Sequence, residues 1–224
     1  MTTLQAQLEN SRFKIPPPEV IAEIGKRAKQ AEEEEQKRKW RRKLLNAFIP
    51  PEFENAELSQ CLPEVAAWVE RIKGGSTRNL ILQGSPGVGK SYSASAALLE
   101  LLKDFRGLFA REVEIVGAIR DTFNGIGSES SIVQTYSSPQ ILVLDDFGKM
   151  QARDWYLPVI WEIIDNRYTY RKPTIFTLQD GSDVLRLRLS TPTDKGYTAA
   201  SILDRMKDSD VVKIPGKSRR GNRV

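Results

Sequence analysis

From about residue 52 onward, two spacings of apolar residues alternate along the chain. Short apolar runs at Leu80-Ile81-Leu82, Val113 to Val116, Ile141-Leu142-Val143-Leu144, Thr174-Ile175-Phe176-Thr177 and Val211-Val212-Lys213-Ile214 have the length and branching of buried strands. Between them the spacing becomes helical. Ser91 to Lys103 places Ala94, Ala97, Leu98 and Leu101 on one face, and a helix is expected around Gly117 to Phe123. Trp155 to Tyr170 carries a stripe of Leu157, Ile160, Trp161, Ile164 and Tyr168, and a short helix around Ile202 to Met206 precedes the last strand. Strand and helix in alternation predict an α/β fold, a parallel sheet flanked by helices. The polar run 124–131, NGIGSESS, predicts a mobile loop, and there is no internal repeat.

Upstream the pattern changes. Residues 1–18 are polar and end in Pro16-Pro17-Pro18, an extended lead-in. Residues 19–48 read as one long helix, with Ile21, Ile24, Ala28 and Ala31 at helical spacing, then AEEEEQKRK, then Trp40, Leu44, Leu45 and Phe48. Acids at 32–35 precede the bases at 37–42, so Glu-to-base pairs one turn apart support an exposed helix, which Pro50-Pro51 stops. With apolar patches only at its ends, this helix is expected to project toward a partner or to cap the body weakly. Three parts follow: an arm at 1–48, a core at 49–215 and a basic tail at 216–224.

Composition narrows the chemistry. The 224 residues suffice for one α/β domain with an appendage. No apolar run nears the ~18 residues of a membrane span, so no membrane partner is expected. The N-terminus lacks the apolar stretch of a secretory signal. Cys61 is the sole cysteine, which excludes an intrachain disulfide and fits a cytoplasmic setting. There is no histidine, so His-based acid–base catalysis and His-ligated metal sites are excluded. Any reaction must run on carboxylates, lysines, arginines, backbone amides and a soluble cofactor. The formal charge is +5, but Val20–Asn46 and Lys213–Val224 together carry a surplus of +9, leaving the remainder net −4. Basic ends around a mildly acidic body suit a polyanion, although a solvated helix and an unstructured tail account for them equally well.

One motif dominates. Gly84-Ser85-Pro86-Gly87-Val88-Gly89-Lys90-Ser91 is a complete GxxxxGK[ST] P-loop, preceded by a strand-like run and followed by a helix. Glycines let successive N–H groups turn inward onto a phosphate chain, and the helix that begins there adds the positive end of its dipole. Lys90 is expected to reach the β- and γ-phosphates of ATP, and the Ser91 hydroxyl to ligate Mg2+. Fifty-five residues after Lys90, the run 141–144 ends in Asp145-Asp146, the pattern of a Walker B strand. Its end places both carboxylates at the carboxyl edge of the sheet, where open α/β folds bind ligands. Asp145 is assigned to the metal ion, directly or through water, and Asp146 to orienting or activating the attacking water. The pair favours hydrolysis over phosphoryl transfer to a metabolite.

Further along, a polar side chain on a strand between these two elements can touch the γ-phosphate, and Thr177 and Gln179 are the candidates. Arg205 sits on the short helix before the last strand, placed to reach a neighbouring subunit's nucleotide; a surface ion pair with Asp204 or Asp208 is the alternative. Arg167 is a weaker candidate for the same role.

These segments together resemble the AAA+ ATPases of the DnaC-type helicase loader and IstB-like group, over roughly residues 44–218. The resemblance rests on LLNAFIPPEFENAEL (44–58), GSPGVGKS, LVLDDFGK (142–149), the IIDNRY–KPTIFT block (163–177) and ILDRM (202–206). It implies a P-loop AAA+ fold of the ASCE type with a short helical N-terminal arm. Arg205 then resembles the arginine finger and the Thr177–Gln179 strand end resembles sensor 1, where the group usually has Asn in place of Gln179. The segment 117–140 is similar to the insertion that faces single-stranded DNA, with Arg111 and Arg120 nearby as phosphate contacts. Only about ten residues follow the last strand, too few for a helical lid. The implied role is an ATP-dependent loader that binds a replicative DNA helicase through its arm and single-stranded DNA through its core, and that self-associates into a ring or spiral. A transposition helper of the IstB-like kind, a nucleotide-gated adaptor that does not hydrolyse ATP, and a small-molecule kinase remain as alternatives. Against the last, no arginine-rich lid stands between the two nucleotide motifs.

Overall fold

The strand Ile141–Asp145 is apolar at four positions and buried at all five, as a central strand of a parallel sheet must be. In the computed structural model, which describes residues 17–218, it lies inside a five-stranded parallel sheet. The strands are β1 (Leu80–Gln83), β2 (Gly107–Arg111), β3 (Ile141–Asp145), β4 (Thr174–Leu178) and β5 (Asp210–Lys213), in the order β2-β3-β4-β1-β5. The helices are α1 (Pro18–Ala47), α2 (Pro63–Lys73), α3 (Lys90–Leu101), α4 (Glu112–Thr122), α5 (Glu129–Ser137), α6 (Leu157–Thr169), α7 (Ser182–Arg188) and α8 (Tyr197–Met206).

The pleat divides the sheet into two faces. Ile81, Leu108, Ala110, Leu142, Leu144 and Phe176 share one core with the inner faces of α4, α5, α6 and α8. Their alternate neighbours, Leu80, Leu82, Phe109, Ile141, Val143 and Ile175, are equally buried and point to the face lined by α2 and α3. Two compact units divide between Arg42 and Lys43. The first contains most of α1, whose residues from 18 to 39 are all exposed. The expected lead-in lies almost entirely outside the described residues, and so does the end of the basic tail, 219–224.

The second strand differs from the sequence expectation. Val113 to Val116 belongs to α4, and the strand is Gly107–Arg111. Ile115, Val116 and Ile119 are buried on one helical face while Val113 and Glu114 are exposed, so the apolar run that resembles a strand is one turn of an amphipathic helix. Arg111 begins that helix, and Glu114 closes its first turn by accepting from the Arg111 backbone N–H at 2.9 Å. The expected loop at 124–131 is also shorter than its polar composition suggests. Ser128 caps α5, its Oγ accepting from the Ser131 N–H at 3.2 Å, so only the turn before it is irregular.

Candidate nucleotide site

The carboxyl edge of the sheet gathers the ends of β1, β3 and β4. β1 runs into the turn 84–89, where Gly87 (φ +80°) and Gly89 (φ +105°) adopt a backbone that side-chain-bearing residues rarely take. Gly89 is the N-cap of α3, so the loop's amides and the positive end of the helix converge on one point. Lys90 is nearly buried, and its ammonium donates to the carbonyls of Gly84 at 2.8 Å and Ser85 at 2.9 Å, folding the cation over the turn. The described part of the tail returns to the same place: any side chain at Gly87 would overlap Ser218, and one at Gly84 would press on the Ile214 carbonyl.

β4 separates β1 from β3 and supplies the joint between them. Ser91 Oγ donates to Asp145 Oδ1 at 2.8 Å, and Thr177 Oγ1 donates to the same oxygen at 2.7 Å. The amide of Asp146 in turn donates to Thr177 Oγ1 at 2.8 Å. The P-loop serine and the Walker B aspartate are therefore neighbours, as the spacing of the two motifs requires. Burial pushes the Asp145 carboxyl up, with the Asp146 charge acting in the same sense, while the hydroxyls of Thr177 and Ser91 and the Lys90 cation oppose the shift. Asp146 is half-buried with φ +55° and pairs with Lys149 at 3.0 Å.

These donors fit Mg2+ held with a nucleotide. A hydroxyl and a carboxylate share one spot, both hard oxygen donors, and among the described residues no cluster of three acidic, Cys or His side chains forms an all-protein cage. Such a site leaves coordination positions for phosphate oxygens.

The remaining expected site residues are dispersed. Thr177 is buried and engaged with Asp145, whereas Gln179, one residue beyond β4, is exposed. Arg111 lies opposite Asp145 in the strand register but pairs with Glu114 at 2.6 Å. Arg120 is at the far end of α4, its guanidinium 5.4 Å from the Trp155 ring centre, with Phe123 packed edge-on against that indole. Arg205 pairs with neither Asp204 nor Asp208. It donates to Asp165 Oδ1 at 2.6 Å and to the Ser201 carbonyl at 3.3 Å, and lies 5.7 Å from the Tyr168 ring.

Arg167 is a correction. The sequence offers it as a finger or a surface ion pair, but it is 1% exposed. Its guanidinium donates to Thr174 Oγ1 and to the carbonyls of Tyr136, Pro139, Gln140 and Pro173. It ties together the segments entering β3 and β4. A second residue has no signal in the sequence: Glu112, wholly buried at the start of α4, with its carboxyl pushed up to about 7 chiefly by burial.

A parallel sheet with a glycine turn feeding a helix, and a strand-end acid bonded to that turn's serine, defines a P-loop nucleotide-binding protein. The model of the IstB-like ATP binding protein family matches residues 57–223, and the chain belongs to that family. Over 117 residues it is 32% identical to the replicative helicase loader DnaC of Escherichia coli (strain K12), covering 50% of this chain and 46% of that protein. It is 30% identical over 145 residues to an insertion sequence ATP-binding protein of Sinorhizobium fredii, covering 64% of this chain and 57% of the other. The chain thus spans about half the length of these relatives. Among solved structures, DnaI superposes with a TM-score of 0.64 at 24% identity, covering 75% of this chain and 95% of that one. The DnaC helicase loader gives 0.61 at 24%, covering 74% and 100%. These two likenesses establish the fold. Among the described residues no helix is long and apolar enough to cross a membrane.

Proposed function

We propose that the chain is an ATP-dependent loader of a replicative DNA helicase, with an arm at 1–48 that grips the helicase and an ATPase core that senses single-stranded DNA. The observation that carries the ATPase part is the shared oxygen of Asp145, reached by both Ser91 and Thr177, with Asp146 next to it. Ser91 and Asp145 would hold Mg2+, which supplies charge neutralisation across the β- and γ-phosphates. The N–H groups of residues 84–91, all but Pro86, and the Lys90 ammonium orient the triphosphate. Asp146 accepts a hydrogen bond from the attacking water and aims it. Thr177 positions Asp145, and Gln179, exposed past the strand end, is the side chain left to report the γ-phosphate. Arg111 and Arg120 are proposed as contacts to DNA phosphates.

Support for the helicase comes from the likeness to a helicase loader together with the exposed, charged helix α1. Co-purification with the replicative helicase tests it: the full chain should retain the helicase when ATP is present, and a chain lacking 1–48 should bind ATP normally yet retain none. Equal retention by both chains rejects the arm as the grip.

Arg205 is proposed as the residue that acts on a neighbouring subunit's nucleotide. Its side chain is about one-quarter exposed and cradled by Asp165 and Tyr168, which hold the guanidinium in one direction. Arg205→Ala should leave ATP affinity intact and lower hydrolysis by ~10³-fold in the assembled form only. If monomer and assembly lose activity equally, the role between subunits is wrong.

A transposition helper is the second reading, favoured by the insertion sequence relative. ATPase stimulation by duplex rather than single-stranded DNA, with no helicase retained, would select it.

A further inference from the structure

Glu112 is 0% exposed, a rare position for an acid. Its Oε2 accepts from the Met150 N–H at 3.2 Å. Its Oε1 has no partner among the described residues, and neither does the buried Tyr156 hydroxyl. An apolar side chain of the same size would fill this part of the core without stranding an oxygen, so what the acid contributes must lie in the loop it holds.

That loop carries the second aspartate. Its first half is tied to β4, because the Asp146 amide donates to Thr177 Oγ1 and the Phe147 amide to the Thr177 carbonyl at 3.0 Å. Its second half, 148–150, is held by Glu112 on one side and by Arg188, which donates to the Gly148 carbonyl at 3.1 Å. The Lys149–Asp146 pair bridges the two halves. The spacing of that ammonium from the Asp146 carboxylate is set by the turn, in which the Lys149 amide donates to the Asp146 carbonyl at 3.2 Å, and by the hold of Glu112 on Met150 just after it, while the phosphate cradle at 84–91 rests on other elements.

We propose that Glu112 is a positioning residue for ATP hydrolysis, holding the Met150 amide so that the turn before it keeps Lys149 and Asp146 in the arrangement in which Asp146 can aim water. This rests on the hydrolytic reading of the site. Two substitutions separate the clamp from simple core filling. Glu112→Leu keeps the volume and removes the acceptor. Glu112→Gln keeps an acceptor oxygen in a side chain of nearly the same size and shape.

Three measurements are made on the chain with ATP, Mg2+ and single-stranded DNA: hydrogen exchange of the amides at 148–150, the ATP dissociation constant, and kcat. For Glu112→Leu, exchange at those amides should quicken by ~10-fold or more and kcat fall by ~10-fold, with ATP affinity within about twofold of the parent. Glu112→Gln should restore both protection and turnover. Unchanged exchange and kcat in the leucine variant overturn the proposal. So does a joint loss of affinity, turnover and melting temperature, which marks a purely structural acid, or a glutamine variant as impaired as the leucine one. A parent chain that binds ATP but turns none over overturns the hydrolytic reading itself, a result distinct from a hydrolysing parent whose leucine variant is unaffected.

Discussion

Lys90→Ala is expected to abolish tight ATP binding, raising the dissociation constant by ~100-fold or more. The ammonium lies 2.8 and 2.9 Å from two carbonyls of the P-loop, directly over the turn proposed to cradle the phosphates. Charge-assisted hydrogen bonds to phosphate oxygens contribute about 1.5–3 kcal/mol each, and losing two costs ~100-fold or more in affinity. The amides and the helix dipole remain in the variant, so residual weak binding is the expected floor. Calorimetric titration with ATP and Mg2+ checks this, with melting temperature as the control for folding. Retention of micromolar affinity would mean that the backbone cradle alone holds the nucleotide, and the role given to Lys90 would fall.

The two nucleotide motifs were legible because each is contiguous. A strand, a turn and a helix start occupy residues 80–91, and a strand with its terminal acids occupies 141–146, so local chemistry announces both. What joins them is half legible: Thr177 and Gln179 read as polar ends of a strand between the two motifs, but their division of labour depends on side-chain direction. Thr177 turns into the sheet onto Asp145 and Gln179 points out. β2 carries little signal in the sequence, since Leu108-Phe109-Ala110 is brief and the more branched VEIV next to it competes; burial on one helical face decides the matter. Glu112 and Arg167 were beyond reach. Most of their partners are backbone groups, and a carbonyl or an amide leaves no trace in the sequence.

Arg167 shows how large the energetic weight of such an unannounced contact is. Burial pushes its guanidinium down to about 9, so it enters the core as a cation at neutral pH, and among the described residues no carboxylate pairs with it. Five hydrogen bonds offset that cost, the shortest being 2.7 Å to the Pro173 carbonyl. Arg167→Ala strands the carbonyls of Tyr136, Pro139 and Gln140 and the Thr174 hydroxyl, each costing about 1–3 kcal/mol when left unpaired, less whatever water recovers, while the Pro173 carbonyl keeps the Leu142 N–H at 3.4 Å. The net loss should be about 4 kcal/mol or more, a fall in melting temperature on the order of 10 °C for a chain of this size. Arg167→Lys should recover only part of it, because an ammonium lacks the planar fork that serves acceptors on both sides. The clamp sits where the chain enters β3 and β4, at the edge of the sheet opposite Asp145 and Thr177. The folded fraction of either variant should accordingly bind ATP with parental affinity. Thermal denaturation with and without ATP separates the two effects: a variant that melts within about 2 °C of the parent would show that water replaces the guanidinium without penalty, and the clamp would then be incidental to the fold.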